Sequence, residues 1–171
     1  INLREGDEVI SAVLCAAEDD LLLVSRKGQS VRFHADDATL RPMARATQGV
    51  IGMKFRGSDE LLAMDLVREG AYVVTVTDGG FAKRTTVDEW TPKGRGILGV
   101  KAMRLANEER GNLVGAFIVV DGDEVLSITQ GGQVVRSPIN ADFRPTGRST
   151  MGVKFVTPKS GDAVAVVARS V

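Results

Sequence analysis

Apolar residues in this chain come in short β-branched runs, many alternating with polar ones, and glycine-rich turns break them up. Period-two alternation over so few residues predicts strands rather than helices. Leu21 to Ser25 pairs naturally with Ser30 to His34, Tyr72 to Thr77 with Phe81 to Thr86, and Val125 to Thr129 with Gln133 to Ser137. The intervening turns, Lys27-Gly28, Asp78-Gly79-Gly80 and Gln130-Gly131-Gly132, supply the glycine that tight hairpins need for positive φ. Four further runs, Asp7 to Ala17, Asp59 to Val67, Asn112 to Val120 and Asp162 to Val171, are predicted as buried strands, with Cys15 a small buried residue in the first. Gly49 to Phe55, Gly96 to Leu105 and Thr150 to Val156 read as one more strand each. The predicted class is all-β.

The same unit is written three times. Gly28, Gly80 and Gly132 recur at a spacing of 52 residues, and Arg32, Arg84 and Arg136 follow them at the same interval. Pro-x-x-Arg-x-x-x-Gly-Val then falls at 42–50, 92–100 and 145–153. Self-similarity at this period marks a repeat architecture. Asp36, Asp88 and Asn140 stand where each could cap a single helical turn, and Leu40, Trp90 and Phe143 precede the prolines by two, placed to plug a blade core. Residues 1–171 are therefore expected to form one propeller-like repeat domain, with approximate repeats 1–55, 56–105 and 106–156 and a final strand in 157–171. Three blades plus a terminal strand make a partial disc with two open flanks. More chain or a second copy, three blades against three, would cover them; Ile1 in place of Met suggests a piece of something longer.

Charge changes the picture through its distribution. The chain carries 22 Lys and Arg against 22 Asp and Glu, for a net charge of zero. Yet residues 41–56, 91–104 and 144–159 contain no acid and hold four basic residues each, so twelve of the 22 cations sit in three patches. No run approaches the ~18 apolar residues of a membrane span, and a lone cysteine fits a cytoplasmic setting. No cofactor or metal is expected. Gly94-Arg95-Gly96-Ile97-Leu98-Gly99 matches a dinucleotide-binding string but follows Pro92 rather than a strand, and His34 near Asp36 and Asp37 has no counterpart in the other repeats, where Thr86 and Pro138 stand.

The glycine turn followed by basic residues (Gly80-Phe81-Ala82-Lys83-Arg84), the thrice-repeated Arg-x-x-x-Gly-Val and the Asp-Glu-Val or Asp-Glu-Leu strand starts resemble the C-terminal domain of the gyrase A protein of DNA gyrase, with the topoisomerase IV counterpart as a close relative. The resemblance covers essentially the whole chain. It implies a β-pinwheel, a six-bladed disc whose strands pass between neighbouring blades, with this chain similar to its last three blades. It further implies duplex DNA wrapped on a basic rim, partners in the rest of gyrase A together with gyrase B, and no catalytic centre here, within an ATP-dependent topoisomerase whose supercoiling the wrap directs. One departure concerns the gyrase box, Gln-Arg-Arg-Gly-Gly-Lys-Gly. Its nearest stretch, Lys93 to Gly99, keeps the Arg and Gly frame and lacks the lysine before the last glycine.

Candidate DNA contacts follow from the repeats. Arg45, Arg95 and Arg148 share one loop position beside small residues that let a phosphate approach. Arg32, Lys83, Arg84 and Arg136 follow the hairpin turns, and Arg41, Lys54, Lys93, Lys101 and Lys154 complete the basic segments. Such a row would hold the backbone without reading bases and spread the cost of bending along the arc. The competing expectation for each arginine is a hydrogen bond to a neighbouring blade's carbonyls. The competing function is a propeller-like protein-interaction or oligomerisation module.

Overall fold

The structure, a computed structural model, describes residues 1–170; Val171, the last residue of the expected terminal strand, lies outside them. In chain order the strands are β1 (Asp20–Ser25), β2 (Gln29–His34), β3 (Leu61–Leu66), β4 (Tyr72–Thr77), β5 (Phe81–Thr86), β6 (Val100–Lys101), β7 (Leu113–Val119), β8 (Glu124–Thr129), β9 (Val134–Pro138), β10 (Val153–Lys154) and β11 (Val164–Ser170), with one 3₁₀ turn at Val87–Glu89. All three predicted hairpins form. Gly28, Gly80 and Gly132 take φ of 87°, 88° and 86° at their turns.

No blade is made from one repeat. The first sheet runs β3-β1-β2-β6, the second β7-β4-β5-β10, and the third β11-β8-β9. Each hairpin thus receives one long strand from the repeat that follows, and in the first two blades a two-residue strand from farther along that repeat. Gln29 and Ser30 pair with Lys101 and Val100, and Phe81 and Ala82 with Lys154 and Val153. The third blade has no such strand on the free edge of β9 among the described residues.

The repeated Gly-Val has its explanation in this exchange. Gly99 lies so close to β2 that a Cβ would stand 2.0 Å from the Ser30 carbonyl oxygen, and one on Gly152 would stand 2.6 Å from that of Ala82. Both glycines have positive φ as well. Only glycine meets both demands.

Blade faces bury against each other. In β1, Leu22 and Val24 point into a cluster shared with Val73, Trp90, Met103 and Ile118, while Leu21 and Leu23 point the opposite way with Phe33 and Met53. This two-sided burial is why the run is apolar throughout. The three expected plugs sit where the pattern placed them: Trp90 (2% exposed) and Phe143 fill the two inter-blade cores, and Leu40 packs against the outer face of blade 1. Trp90 Nε1 donates to Ser30 Oγ at 2.7 Å, and Ser30 Oγ donates to the Val100 carbonyl at 2.8 Å, which joins hairpin, plug and donated strand.

Several local expectations need correction, burial of the final run among them, since of the residues of β11 only Val164 is buried. Residues 7–17 form no strand; Leu14 is 95% exposed and Cys15 is exposed too, because a strand there would need a preceding hairpin to pair with. The runs 49–55, 96–105 and 150–156 shrink to a single Met53–Ile97 bridge and the two-residue strands β6 and β10, since glycines with positive φ bend each run at its start. Asp88 does not cap its turn: it lies inside the 3₁₀ segment, with Thr86 at the N-cap and no side-chain bond there. Asp36 and Asn140 do accept local backbone N–H bonds, from Thr39 and Asp142.

The hairpin arginines hold successive repeats together. Arg84 is buried, with Nε donating to the Phe143 carbonyl, Nη2 to that of Asn140 at 2.8 Å, and Nη1 to Asp121 at 2.6 Å. Arg32 repeats the arrangement one blade earlier, donating from Nη1 to the Val87 and Trp90 carbonyls and pairing through Nε with Asp20. Arg136, with no plug-and-loop segment packed over it among the described residues, stays exposed and meets Glu124 at 3.3 Å. Arg84→Met is expected to cost about 3 kcal/mol in urea unfolding, because the carbonyls and Asp121 lose a charged donor, while Arg136→Met changes stability by less than about 0.5 kcal/mol.

Candidate nucleic-acid interface

Two of the three acid-free segments supply the outer strands of their sheets, and the third is bonded to its neighbour through Lys54 N–H to Ile97 and Gly96 N–H to Gly52. Strands β3, β7 and β11 pack on one another across neighbouring blades, so that side is where the blades converge. The donated strands β6 and β10 lie at the opposite end of their sheets, three strand spacings or about 14 Å away. Segments 91–104 and 144–159 contain those strands, and 41–56 carries their unpaired equivalent at Val50 and Ile51. Positive charge therefore returns once per repeat along the rim.

The loop arginines stay on that rim but are partly committed. Arg95 Nε donates to the Thr39 carbonyl at 2.6 Å and its Nη1 to that of Ile51 at 3.2 Å. Arg148 Nη1 donates to the Lys101 carbonyl at 2.8 Å. Ile51 and Lys101 each follow the Gly-Val of their own repeat, so the two arginines make the same backward reach, each from its loop to the previous repeat. Both are half-buried, whereas Arg45 is exposed and makes no side-chain bond among the described residues. Arg41, Lys54, Lys93, Lys101 and Lys154 line the same segments, the last with its ammonium 4.6 Å from the centre of the Phe81 ring.

Two hairpin candidates do not belong to this surface, and a third is largely committed elsewhere. Lys83 (1% exposed) and Arg84 are buried, and half-buried Arg32 directs Nε to Asp20 and Nη1 to two carbonyls. For these residues the bond to a neighbouring blade is what the structure shows. Arg136 keeps an exposed side chain, on the free edge of blade 3. His34 meets Asp20 rather than Asp36 or Asp37.

Sequence reasoning passed over several rim cations. The repeat register aligns exposed Arg104 with Lys54 and exposed Arg144 with Arg41, a signal already present in the spacing. Arg110 had no such signal. It sits in the connection before β7, stacks 4.1 Å from the centre of the Phe81 ring, and donates to the Met151 carbonyl at 2.6 Å.

Lys83 links this rim to the blade interior. Its ammonium donates to the carbonyls of Gly147, at 2.7 Å, and Arg148, and so holds the loop that carries Arg148. The other repeats have Val31 and Val135 at this position. Burial lowers the Lys83 pKa from 10.5 to about 8, with Glu89 opposing the shift and Arg148 adding to it.

Known proteins share this arrangement. A family described as "DNA gyrase C-terminal domain, beta-propeller" matches residues 1–16, 19–68, 71–119 and 123–169. The gyrase A protein of Nocardioides sp. is 60% identical over 100% of the chain and 22% of its own length, and that of Streptomyces coelicolor 55% over 99% and 20%. The chain thus spans about a fifth of these relatives. Among solved structures, a DNA gyrase A C-terminal domain superposes with a TM-score of 0.87 at 26% identity, covering 100% of the chain and 57% of that structure. A topoisomerase IV C-terminal domain gives 0.87 at 19% identity, with 98% and 52% covered, which speaks to the fold.

The Lys83 shift has a measurable consequence. The folded state gives up this proton at lower pH than the unfolded chain, so Lys83 contributes a stability increment that grows as pH rises from about 8 to about 10.5. Denaturant unfolding of the protein against Lys83→Met across that range is expected to show the wild type gaining on the variant; a constant difference would remove the assignment.

Proposed function

The chain belongs to the DNA gyrase C-terminal domain family, and from that premise we propose that it is a non-catalytic surface that binds and bends duplex DNA along its rim. One observation carries the reading: acid-free basic segments recur in three successive repeats, and two of them supply the strands on the outer edges of their sheets, with the third bridged to its neighbour through Met53 and Ile97. A duplex presents one charge per ~1.7 Å of axis, so cations spaced along a curve displace counterions at intervals and hold the backbone bent without reading bases. Arg45, Lys54, Lys93, Lys101 and Lys154 make those contacts. Arg95 and Arg148 mainly fix the spacing of the loops that present them.

The relatives point to a larger setting. We place the domain in a gyrase A protein that works with gyrase B in an ATP-dependent topoisomerase, where the wrap directs supercoiling. No helix among the described residues is long and apolar enough to cross a membrane. At the N-terminal flank, exposed Val9, Ile10 and Leu14 on one side and Val50 and Ile51 on the other stand where the paired strands of later repeats stand.

Duplex binding measured by gel shift across a salt series tests the rim. Affinity is expected to fall about 10³-fold between 50 and 200 mM salt if some six phosphates are engaged. Arg45→Ala, Lys54→Ala and Lys101→Ala are each expected to reduce the salt slope by about 1 and to weaken all sequences alike. Binding that is indifferent to salt and to these substitutions would return the domain to the protein-interaction reading.

A further inference from the structure

We propose that the cleft between blades 1 and 2 is a site for a phosphate group, held by Lys93 and Arg148, whether the phosphate comes on a free ligand or on a nucleic-acid backbone. The cleft measures about 310 Å³, near the lower end of small-ligand sites. Its walls include Trp90, Ile97 and Val100, and its charged residues are Arg32, Glu89, Lys93 and Arg148. These charges are not equivalent. Arg32 is already paired with Asp20 and two carbonyls. Glu89 Oε2 accepts from the backbone N–H of Arg148 at 2.6 Å, which brings the loop of repeat 3 over a cleft built from repeats 1 and 2.

Two cations remain for a ligand. The Lys93 ammonium has no hydrogen bond or ion pair among the described residues, and its backbone is anchored by a 2.8 Å bond from its N–H to the Arg32 carbonyl. Arg148 uses Nη1 on Lys101, yet its buried Nε finds no acceptor. An unsatisfied donor on a guanidinium that borders a cleft is an opening for an oxyanion, because a small rotation would offer the planar Nε and Nη2 edge to two oxygens at once. Lys93, in the lining of the same cleft, adds a point charge. Ile97 and Val100 then shelter the organic part of an ester from water.

The next junction along the chain is an internal comparison. Its cleft, about 290 Å³, is lined by Lys83, Phe143, Arg144, Thr146 and Val153, together with Asp142. Here Lys83 stands on the floor where blade 1 has Val31, with its ammonium engaged by two carbonyls. Thr146 replaces Lys93, and no arginine of a later repeat reaches in among the described residues. Phosphate selectivity is therefore expected at the first junction and not at the second.

Titration of the ¹⁵N-labelled chain with pyrophosphate at constant ionic strength tests the site. Saturable shifts are expected at residues 89–100 and at Arg148, with Arg144 and Thr146 unmoved. Lys93→Ala, which removes no bond of the fold, is expected to weaken binding about tenfold, and Arg148→Lys, which keeps the charge and loses the fork, by a similar factor. Arg68→Ala, at an exposed position outside the basic segments, serves as the control and leaves pyrophosphate binding unchanged. Shifts that never saturate, or that persist at full strength in both cleft variants, overturn the proposal. Duplex DNA added to the pyrophosphate complex separates the two sources: displacement assigns the site to backbone phosphate, and simultaneous occupancy assigns it to a free ester. Pyrophosphate binding without any duplex binding would retain this site and reject the rim reading above.

Discussion

The structure depends on the fact that no blade completes itself. A hairpin alone leaves two edges and two apolar faces, and in the first two blades the following repeat completes them: a long strand on one edge, a two-residue strand on the other, a plug over the face, and carbonyls that accept from the hairpin arginine. Surrounding a buried guanidinium with backbone carbonyls as well as a carboxylate satisfies both sides, because the loop it holds needs donors as much as the arginine needs acceptors. Arg32 and Arg84 thus carry as much of the architecture as the aromatic plugs.

This arrangement also explains the charge pattern. The edge where blades converge is occupied by long apolar strands, so cations cannot gather there. The opposite edge ends in two-residue strands and open loops, where backbone is near solvent and long basic side chains remain hydrated. Separation of charge follows from the order of strands in each sheet. A zero net charge conceals it completely, since the acids lie in the turns and strand starts between the basic segments.

Most of the fold was legible in the sequence because hairpins are local: alternation, glycine turns and the 52-residue spacing all speak about neighbours. Exchange between repeats is not local, and there the pattern misleads. Gly99-Val100 looks like part of a strand in its own repeat, yet Val100 pairs with Ser30, and nothing in a window around residue 100 names it. The same limit governs the site. Lys83 and Arg84 have the composition of a basic rim, and only the placement of Phe143, Asn140 and Gly147 shows them turned inward. Residues 7–17 depart for the converse reason, being a well-patterned strand with no partner strand among the described residues, though Val13 packs against the outer face of blade 1.

Forward donation of strands gives the molecule a direction in time. On a ribosome, Gln29 emerges long before Lys101, so the first hairpin waits with one edge bare until the next repeat has nearly left the exit tunnel. Completion therefore trails synthesis by one blade throughout. A nick or truncation in one repeat reaches backwards and opens the blade before it, which makes the upstream neighbour, rather than the damaged segment, the place where a protease or chaperone first finds exposed backbone.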